Sequence, residues 1–567
     1  MERTSNCSLF IVHCTLIRGV GLARRIGIVF FLFVLGMGAL CVRIMRVPLL
    51  VGDRAGANRG GARVVIDSSR GAILDRNGAP LVRARRQAYA AVKPTPGGDA
   101  FLRGALSGER YARLEPRLAR GNLLAVPVDD ITAELARGED NLILYAYPRY
   151  DNHQLAPHLI GHLDQAGAGA FGLEKAFDGL LAGAAGELAV RMPVDAKGRA
   201  LPGGSLEEAA ENYRGAQGVQ LTIDARAQRI AQEALAGGGI ARGAAVVLDA
   251  ATSEILALAS APAFDPGNIA PSLDDPLLPF FNRALGAYPV GSTFKCFIAA
   301  AALEQGISPN VTYECTGELE ISGHIFRCKE KIHGAVDMSG ALAQSCNLYF
   351  IRLTQRMRPQ PALDLARLFG FGGSIELAPG IASAAGNLPS PRELALPGER
   401  ANFSFGQGKL LGTPLQMAAA TACIANGGVY NSPILVKATL DAAGTATPYE
   451  QPRETRQVIS PETAATVRQM MVTTVEEGSG SRAKPRGLPN SLGAHQLCGA
   501  GGKTATAQSG KFGPDGSEIL HTAFTGFFPA ENPRYVITVF RENGSSGALD
   551  CAPVFREIAE GLAAPAP

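Results

Sequence analysis

Three short motifs built from serine, lysine, asparagine and threonine lie far apart in the chain, and one fold has to accommodate all three. Ser292-Thr-Phe-Lys295 comes first, Ser345-Cys-Asn347 second and Lys503-Thr-Ala-Thr506 third. Each pattern alone carries little weight, because S-x-x-K occurs by chance about once in a chain of this length and Ser345 and Asn347 suit ordinary caps and turns. In this order, the three motifs favour an acyl-serine site assembled from distant segments.

The first motif pairs a hydroxyl group with a base. Ser292 precedes an apolar stretch, Phe294 to Leu303, that predicts a helix, on which residues three apart share a face. A serine hydroxyl is a weak nucleophile until a base takes its proton, and Lys295 is the base within reach. A free lysine, with a pKa of about 10.4, is neutral only about once in 2,500 molecules at pH 7. The site therefore has to lower that pKa by burial and by a nearby cation, for which Lys503 is the natural source.

The other two motifs are expected to bind the substrate. Ser345 can pass a proton to a leaving amine, and the amide of Asn347 can hold a peptide group. The strand-like run from residue 503 to 507 can pair with a peptide backbone, and the N–H groups of Ser292 and Thr506 can form an oxyanion hole. Three side chains are expected to bind a terminal carboxylate: Lys503, Thr504 and Thr506.

A nucleotide-binding loop is the main alternative for the third motif. Gly502-Lys503-Thr504 matches the end of the pattern G-x-x-x-x-G-K-[ST]. That pattern needs a glycine at position 497, where the chain has Leu497. We therefore reject the nucleotide-binding interpretation.

The motif set resembles that of penicillin-binding proteins and serine β-lactamases, and flanking segments narrow the resemblance to class B penicillin-binding proteins. Segments similar to the transpeptidase domain of that family lie at residues 221–228, 243–266, 404–417 and 424–428, and segments similar to its pedestal at 70–78 and 172–183. The resemblance implies an α/β (α+β) multidomain protein. It would have an N-terminal transmembrane helix, a β-rich pedestal and a transpeptidase domain with a sheet core and a helical subdomain.

One residue departs from the family pattern. The third motif usually ends in glycine, and here the residue is Ala505. A methyl group facing the cleft would crowd a ligand, whereas one facing the sheet interior would cost little. Both orientations are compatible with the sequence.

Composition and hydropathy agree with a membrane-tied protein of several domains. A chain of 567 residues exceeds one hydrophobic core. Its net charge of +3 with 19% charged residues gives no sign of a nucleic-acid surface. Ile26 to Val42 carries no charge and is flanked by Arg24-Arg25 and Arg43, which predicts an uncleaved transmembrane helix. A cleaved signal peptide is the alternative.

The chain divides into four predicted parts. Residues 1–23 form a cytoplasmic N-terminus, 24–47 the membrane anchor, 48–217 the pedestal and 218–567 the transpeptidase domain. The segment from Pro202 to Gly218 is typical of a linker. The resemblance implies a single-pass protein of the cell membrane with its catalytic domain on the extracytoplasmic side.

The resemblance implies a D,D-transpeptidase that cross-links peptidoglycan stem peptides through an acyl-serine, is inhibited by β-lactams and requires no cofactor. A membrane glycan polymerase is an expected partner, because we find no glycosyltransferase domain before the pedestal. Three alternatives stay open: a D,D-carboxypeptidase, a β-lactamase, for which a pedestal has no use, and a weakly active or inactive penicillin-binding scaffold or sensor.

Four residues of metal-ligand type lie close to the second motif: Cys315, Cys328, His333 and Cys346. One hypothesis is a closed Cys₃His site for structural zinc, since these ligand types suit tetrahedral zinc. The alternative is a disulfide, Cys315–Cys328 or Cys328–Cys346, which suits an oxidising exterior. Free thiols are the third hypothesis.

Overall fold

A computed structural model describes residues 26–38, 61–136, 138, 140–195, 201, 204–213, 215–328, 332–486 and 499–565. Within the predicted anchor, residues 26–38 form an exposed helix, and the rest of the anchor lies outside the described residues, as does the predicted cytoplasmic segment 1–23. None of the described helices has the length and apolar character needed to span a bilayer.

The strands vary from two to twelve residues in length and are numbered in chain order. They are β1 (Gly61–Ser69), β2 (Ala72–Leu74), β3 (Gln87–Val92), β4 (Leu124–Val128), β5 (Asn141–Ala146), β6 (Gly186–Pro193), β7 (Glu207–Glu211), β8 (Gly218–Leu221), β9 (Gly243–Asp249), β10 (Ile255–Ala261), β11 (Tyr288–Pro289), β12 (Tyr313–Cys315), β13 (Glu318–Ile321), β14 (His324–Arg327), β15 (Gly334–Val336), β16 (Glu376–Ala378), β17 (Ile381–Ala382), β18 (Leu411–Gly412), β19 (Val429–Asn431), β20 (Val436–Leu440), β21 (Ala446–Pro448), β22 (Thr455–Gln457), β23 (Gly501–Phe512), β24 (Glu518–Phe528) and β25 (Tyr535–Arg541).

The helices follow the same numbering. They are α1 (26–38), α2 (Pro96–Ala105), α3 (Gly108–Ala119), α4 (Asp130–Leu135), α5 (Pro157–Ile160), α6 (Gly172–Ala176), α7 (Asp178–Ala182), α8 (Ala225–Gly237), α9 (Lys295–Glu304), α10 (Met338–Ala343), α11 (Asn347–Arg356), α12 (Pro359–Leu368), α13 (Pro391–Leu394), α14 (Pro397–Ser404), α15 (Pro414–Ala425), α16 (Pro461–Glu476), α17 (Gly547–Asp550) and α18 (Ala552–Ala563). Short 3-10 helices cover Ala270–Ser272, Gly291–Phe294 and Ser481–Ala483.

The chain forms two compact units, and the first contains Ala88–Leu144, Ala189–Ala209 and the chain up to Ile66. Its strands β4, β3 and β5 form a sheet in that order. In β3, Ala88 and the residues from Ala90 to Val92 are buried, and helices α2 and α3 of the same unit contact each other. Helix α2 begins where the side chain of Thr95 accepts a hydrogen bond from the N–H of Gly98, a cap that satisfies one free donor of the first turn.

The second unit contains 67–87, 145–188 and the chain from Ala210 onward, and its centre is an antiparallel five-stranded sheet. The strand order is β10-β9-β25-β24-β23. Strand β9 is apolar at nearly every position and buried, which indicates a strand covered on both faces. Helices α8 and α18 pack on one face, and α15 and α16 contact the sheet through a second core. Strand β23, which carries the third motif, lies at the edge of the sheet.

A buried ion network joins segments 67–87 and 145–188 within this second unit. The carboxylate of Glu174 accepts hydrogen bonds from Arg70 Nε at 2.9 Å and Arg149 Nε at 2.6 Å. Arg70 also pairs with Asp178 at 2.5 Å. Arg70 comes from one of the segments that resemble the family's pedestal, and Glu174 and Asp178 come from the other, so the two signatures contact each other directly. The predicted division of the chain at residue 217 stays a prediction.

Candidate active site

Ser292 lies in a short 3-10 turn that leads directly into helix α9. The sequence predicted a helix from Phe294, whereas the α-helix begins at Lys295 and Ser292 lies in the 3-10 turn Gly291–Phe294 before it. Gly291 has a positive φ of 63° and its N–H donates to Gly406 O at 2.8 Å. A Cβ on Gly406 would lie 2.0 Å from Gly291 O, so only glycine permits this approach. The turn fixes Ser292 at the floor of a cleft.

Lys295, three residues after Ser292, is fully buried and is held by the second motif. Its Nζ donates to Ser345 O at 2.7 Å, to Ser345 Oγ at 3.2 Å and to Asn347 Oδ1 at 2.7 Å. Among the described residues, these are its hydrogen-bond acceptors, and Ser292 is not one of them. Burial, helped by the charge of Lys503, lowers the pKa of Lys295 to about 7. A large part of Lys295 is therefore neutral, and able to take a proton, at neutral pH.

Ser345 adopts a backbone conformation that non-glycine residues seldom use. Its φ is 56°, and it lies between Gln344, which ends α10, and Cys346, which caps α11 by accepting from Tyr349 N at 3.4 Å. The amide of Asn347 is fixed as well, because its Nδ2 donates to Arg327 O at 2.9 Å. Strained backbone of this kind persists only where the surroundings hold it, and here it turns the Ser345 hydroxyl towards both lysines.

Lys503 connects the third motif to the second. It is fully buried on β23, and its Nζ donates to Ser345 Oγ at 3.0 Å, Thr504 O at 3.0 Å and Thr504 Oγ1 at 3.3 Å. Burial lowers the pKa of Lys503 to about 8, whereas the pKa of Lys295 is lowered to about 7. The Ser345 hydroxyl accepts from both ammonium groups, so it lies on a direct path for proton exchange between them.

A cleft of about 1020 Å³ opens above these groups. Its polar floor contains Ser292, Ser345, Asn347, Thr504 and Thr506, and the ammonium groups of Lys295 and Lys503 lie directly beneath. Sequence reasoning missed other residues that line the cleft, and these fall into an apolar wall and a set of hydrogen-bonding side chains. They include Ile325, Phe326, Leu396, Phe405, Ser479, Gln508 and Ser546. Ile325 and Leu396 are half exposed, and single exposed apolar residues give no signal in a sequence.

The methyl group of Ala505 points away from the cleft. Thr504 and Thr506 line the cleft, whereas Ala505 is 2% exposed and belongs to the apolar core. Side chains alternate along a strand, so Ala505 faces the opposite side of β23 from the two threonines. The departure from glycine therefore leaves the cleft unobstructed.

The four cysteine and histidine residues form a compact cluster under the second motif. Their ligand atoms all lie within 4.8 Å of one another. Cys328 Sγ lies 3.7 Å from Cys315 Sγ and 3.6 Å from Cys346 Sγ, and Cys315 Sγ lies 3.3 Å from His333 Nδ1. Both sulfur separations exceed the roughly 2.05 Å of a disulfide bond, and these cysteines are free thiols in the structure. Neither expected disulfide is present.

Comparison with known proteins agrees with this geometry. Residues 243–560 match the family model described as the penicillin binding protein transpeptidase domain. Penicillin-binding protein PbpB of Mycolicibacterium smegmatis is 30% identical, over 95% of this chain and 89% of that protein. Peptidoglycan D,D-transpeptidase MrdA of Haemophilus influenzae is 29% identical, over 84% of this chain and 74% of that protein.

A solved structure shares both fold and sequence. Penicillin binding protein 3 of Mycobacterium tuberculosis, complexed with aztreonam, superposes with a TM-score of 0.61 at 28% identity, covering 88% of this chain and 96% of that one. The predicted mixed α/β transpeptidase fold is confirmed by this likeness.

Proposed function

The chain belongs to the penicillin-binding protein transpeptidase family, and we infer that it is a peptidoglycan D,D-transpeptidase working through an acyl-serine. One observation carries this inference: a buried, low-pKa lysine lies one turn after Ser292 and shares the Ser345 hydroxyl with a second lysine. Acyl transfer needs this combination of nucleophile, base and proton path.

The roles of the residues follow from their contacts. Ser292 Oγ attacks the carbonyl of the penultimate D-alanine as Lys295 takes its proton. The proton reaches the leaving amine of the terminal D-alanine through Ser345, whose hydroxyl lies between the lysines. The amine of a second stem peptide then attacks the acyl-enzyme and releases Ser292. Asn347 holds the peptide group, while Lys503, Thr504 and Thr506 bind the terminal carboxylate.

Fluorescent-penicillin labelling, followed by product analysis, tests this function. Wild-type protein should become covalently labelled and should form cross-linked dimers from stem peptides. A product that is only trimmed by one D-alanine would identify a D,D-carboxypeptidase, and rapid loss of the label would identify a β-lactamase. A protein that takes up no label would be a scaffold.

We also propose that residues 24–47 anchor the protein in the cell membrane, with 1–23 in the cytoplasm and the catalytic domain outside. The apolar, exposed helix 26–38 and the arginines at 24, 25 and 43 support this proposal. Cell fractionation with protease added from outside tests the orientation, and recovery of the protein in the soluble fraction would contradict it.

We propose also that residues 48–217 form a pedestal and residues 218–567 the transpeptidase domain. A membrane glycan polymerase is the partner that we propose for this protein.

We propose further that the cluster of Cys315, Cys328, His333 and Cys346 holds a structural zinc ion. Zinc–sulfur bonds of about 2.3 Å place the sulfurs of a tetrahedral site about 3.8 Å apart. The separations of 3.7 and 3.6 Å around Cys328 fit that spacing. Cys328 Sγ also accepts the N–H of Asn347 at 3.2 Å, so a metal bound here would hold the second motif in place. The ion would be structural and take no part in acyl transfer.

A further inference from the structure

Ser479 lies between the second and third motifs, although it belongs to neither. It follows helix α16, and its N–H donates to Ala343 O at 2.8 Å, two residues before Ser345. A Cβ on Gly478 would lie 2.4 Å from the same Ala343 oxygen, so the glycine lets this loop approach the second motif. The loop thereby presents the Ser479 side chain to the cleft.

The Ser479 hydroxyl is paired with the first threonine of the third motif. Its Oγ lies 3.1 Å from Thr504 Oγ1. A structural role as a helix or turn cap would need a backbone N–H partner, and in the described chain its Oγ has a side-chain partner instead. Two hydroxyls therefore meet at the cleft surface directly above the charge of Lys503.

The hydrogen-bond inventory of Lys503 gives this pair a role. An ammonium group has three donors, and those of Lys503 are directed at Ser345 Oγ, Thr504 O and Thr504 Oγ1. Lys503 is also fully buried, so it supplies positive charge to the cleft while hydroxyls must supply the direct hydrogen bonds. With Thr504 Oγ1 accepting from Lys503, the Thr504 O–H can donate to Ser479. The Ser479 O–H is then the one left for a ligand.

We propose that Ser479 is a specificity-determining residue that, with Thr504, binds the terminal carboxylate of the donor stem peptide. The proposal rests on the transpeptidase function above and adds a residue outside its three motifs. Thr506 completes the set of donors, since its Oγ1 accepts from Gly547 N at 3.3 Å and its own O–H has no acceptor among the residues that the structure describes.

The test compares two donor substrates, a peptide ending in D-Ala-D-Ala carboxylate and the same peptide with a C-terminal amide. Ser479→Ala in the full-length protein should lower kcat/KM for the carboxylate about 10- to 100-fold, mainly through KM, as expected for a lost hydrogen bond to a charged group. The amide, which has no charge to bind, should change less than about threefold. Ser481→Ala, two residues further on, is the matched control and should leave both values unchanged.

A second pair of variants keeps the shape constant. Ser479→Thr retains the hydroxyl and should restore the preference for the carboxylate, whereas Ser479→Val, of equal shape, should not. Equal losses for carboxylate and amide, or no loss for either, would overturn the proposal while wild-type acylation leaves the transpeptidase function standing. Absence of acylation in the wild type would instead remove the function itself.

Discussion

Gly291 and Ala505 lie against each other, so close that a Cβ on the glycine would come within 3.2 Å of the alanine methyl. The methyl group that distinguishes this third motif from the family pattern therefore occupies space beside the turn of the nucleophile. A larger side chain at position 505 should therefore disturb the turn that holds Ser292. A ligand in the cleft should not contact the side chain at position 505.

Replacing Ala505 tests this placement. Ala505→Gly should change the acylation rate by less than about threefold, equally for small and bulky β-lactams, because the methyl does not face the cleft. Ala505→Val should slow acylation by every β-lactam, since overpacking a core position costs about 1–3 kcal/mol and here displaces Gly291. Stopped-flow acylation rates measure both effects. Faster acylation of Ala505→Gly by bulky drugs alone would show that the methyl does reach the cleft.

Substitution of the nucleophile and its base should have different effects. Ser292→Ala should abolish covalent labelling by penicillin, because no hydroxyl is left to form the ester. Lys295→Met, of similar length but without an amine, should lower the acylation rate by about 10² to 10⁴, the usual contribution of a positioned base. Thermal unfolding of both variants checks the fold. Normal labelling of Ser292→Ala would contradict the acyl-serine mechanism.

The two lysines predict a bell-shaped pH profile. Lys295, with its pKa lowered to about 7, acts as a base only when neutral, so kcat/KM for acylation should rise as the pH increases through about 7. Lys503, with its pKa lowered to about 8, binds the carboxylate through its charge, so kcat/KM should fall above about pH 8. Lys503→Arg, which stays charged, should move the alkaline limb upward. A flat profile between pH 6 and 9 would exclude these roles.

The buried carboxylate of Glu174 should contribute more to stability than an exposed one. Glu174→Gln leaves Arg149 buried without its counter-charge and leaves Arg70 with Asp178 alone, which costs about 3–5 kcal/mol. The exposed pair of Glu109 and Arg113 is the control, and Glu109→Gln should cost less than about 1 kcal/mol. Chemical unfolding of the two variants gives the difference. Equal losses would mean that the buried network adds nothing.

Sequence patterns predicted the chemistry because each motif is local. The spacing of each motif can be recognised without a fold. A serine lies three residues before a lysine in the first motif, a serine lies two residues before an asparagine in the second, and a lysine precedes a threonine in the third. The family and the enzyme class predicted from them are confirmed by the comparisons. The strand order of the central sheet is a different matter, because β9 and β25 pair across most of the domain and no local pattern specifies that register.

The finer geometry depended on tertiary contacts. Lys295 donates to Ser345 and Asn347 because a left-handed residue turns the second motif towards it, and a positive φ at a serine leaves no mark in the sequence. Ser479 reaches Thr504 only because α16 ends beside β23. Likewise, residues 67–87 and 145–188 join the second compact unit through contacts distant in sequence. Such placements follow from packing, which local pattern cannot report.

The cluster of Cys315, Cys328, His333 and Cys346 has the ligand set of a zinc site. The purified full-length protein should contain one zinc ion per chain, and Cys328→Ser should lose it, because this residue contacts both other thiols. Cys423→Ser removes a buried thiol from α15, far from the cluster in sequence, and is the matched control that should keep its zinc. Cobalt in place of zinc should give thiolate charge-transfer absorption in the control and none in Cys328→Ser. Loss of the metal should also slow acylation, since the Asn347 N–H loses a fixed acceptor in Cys328. Zinc content unaffected by Cys328→Ser, or no zinc in the wild type, would show that these residues are ordinary buried thiols.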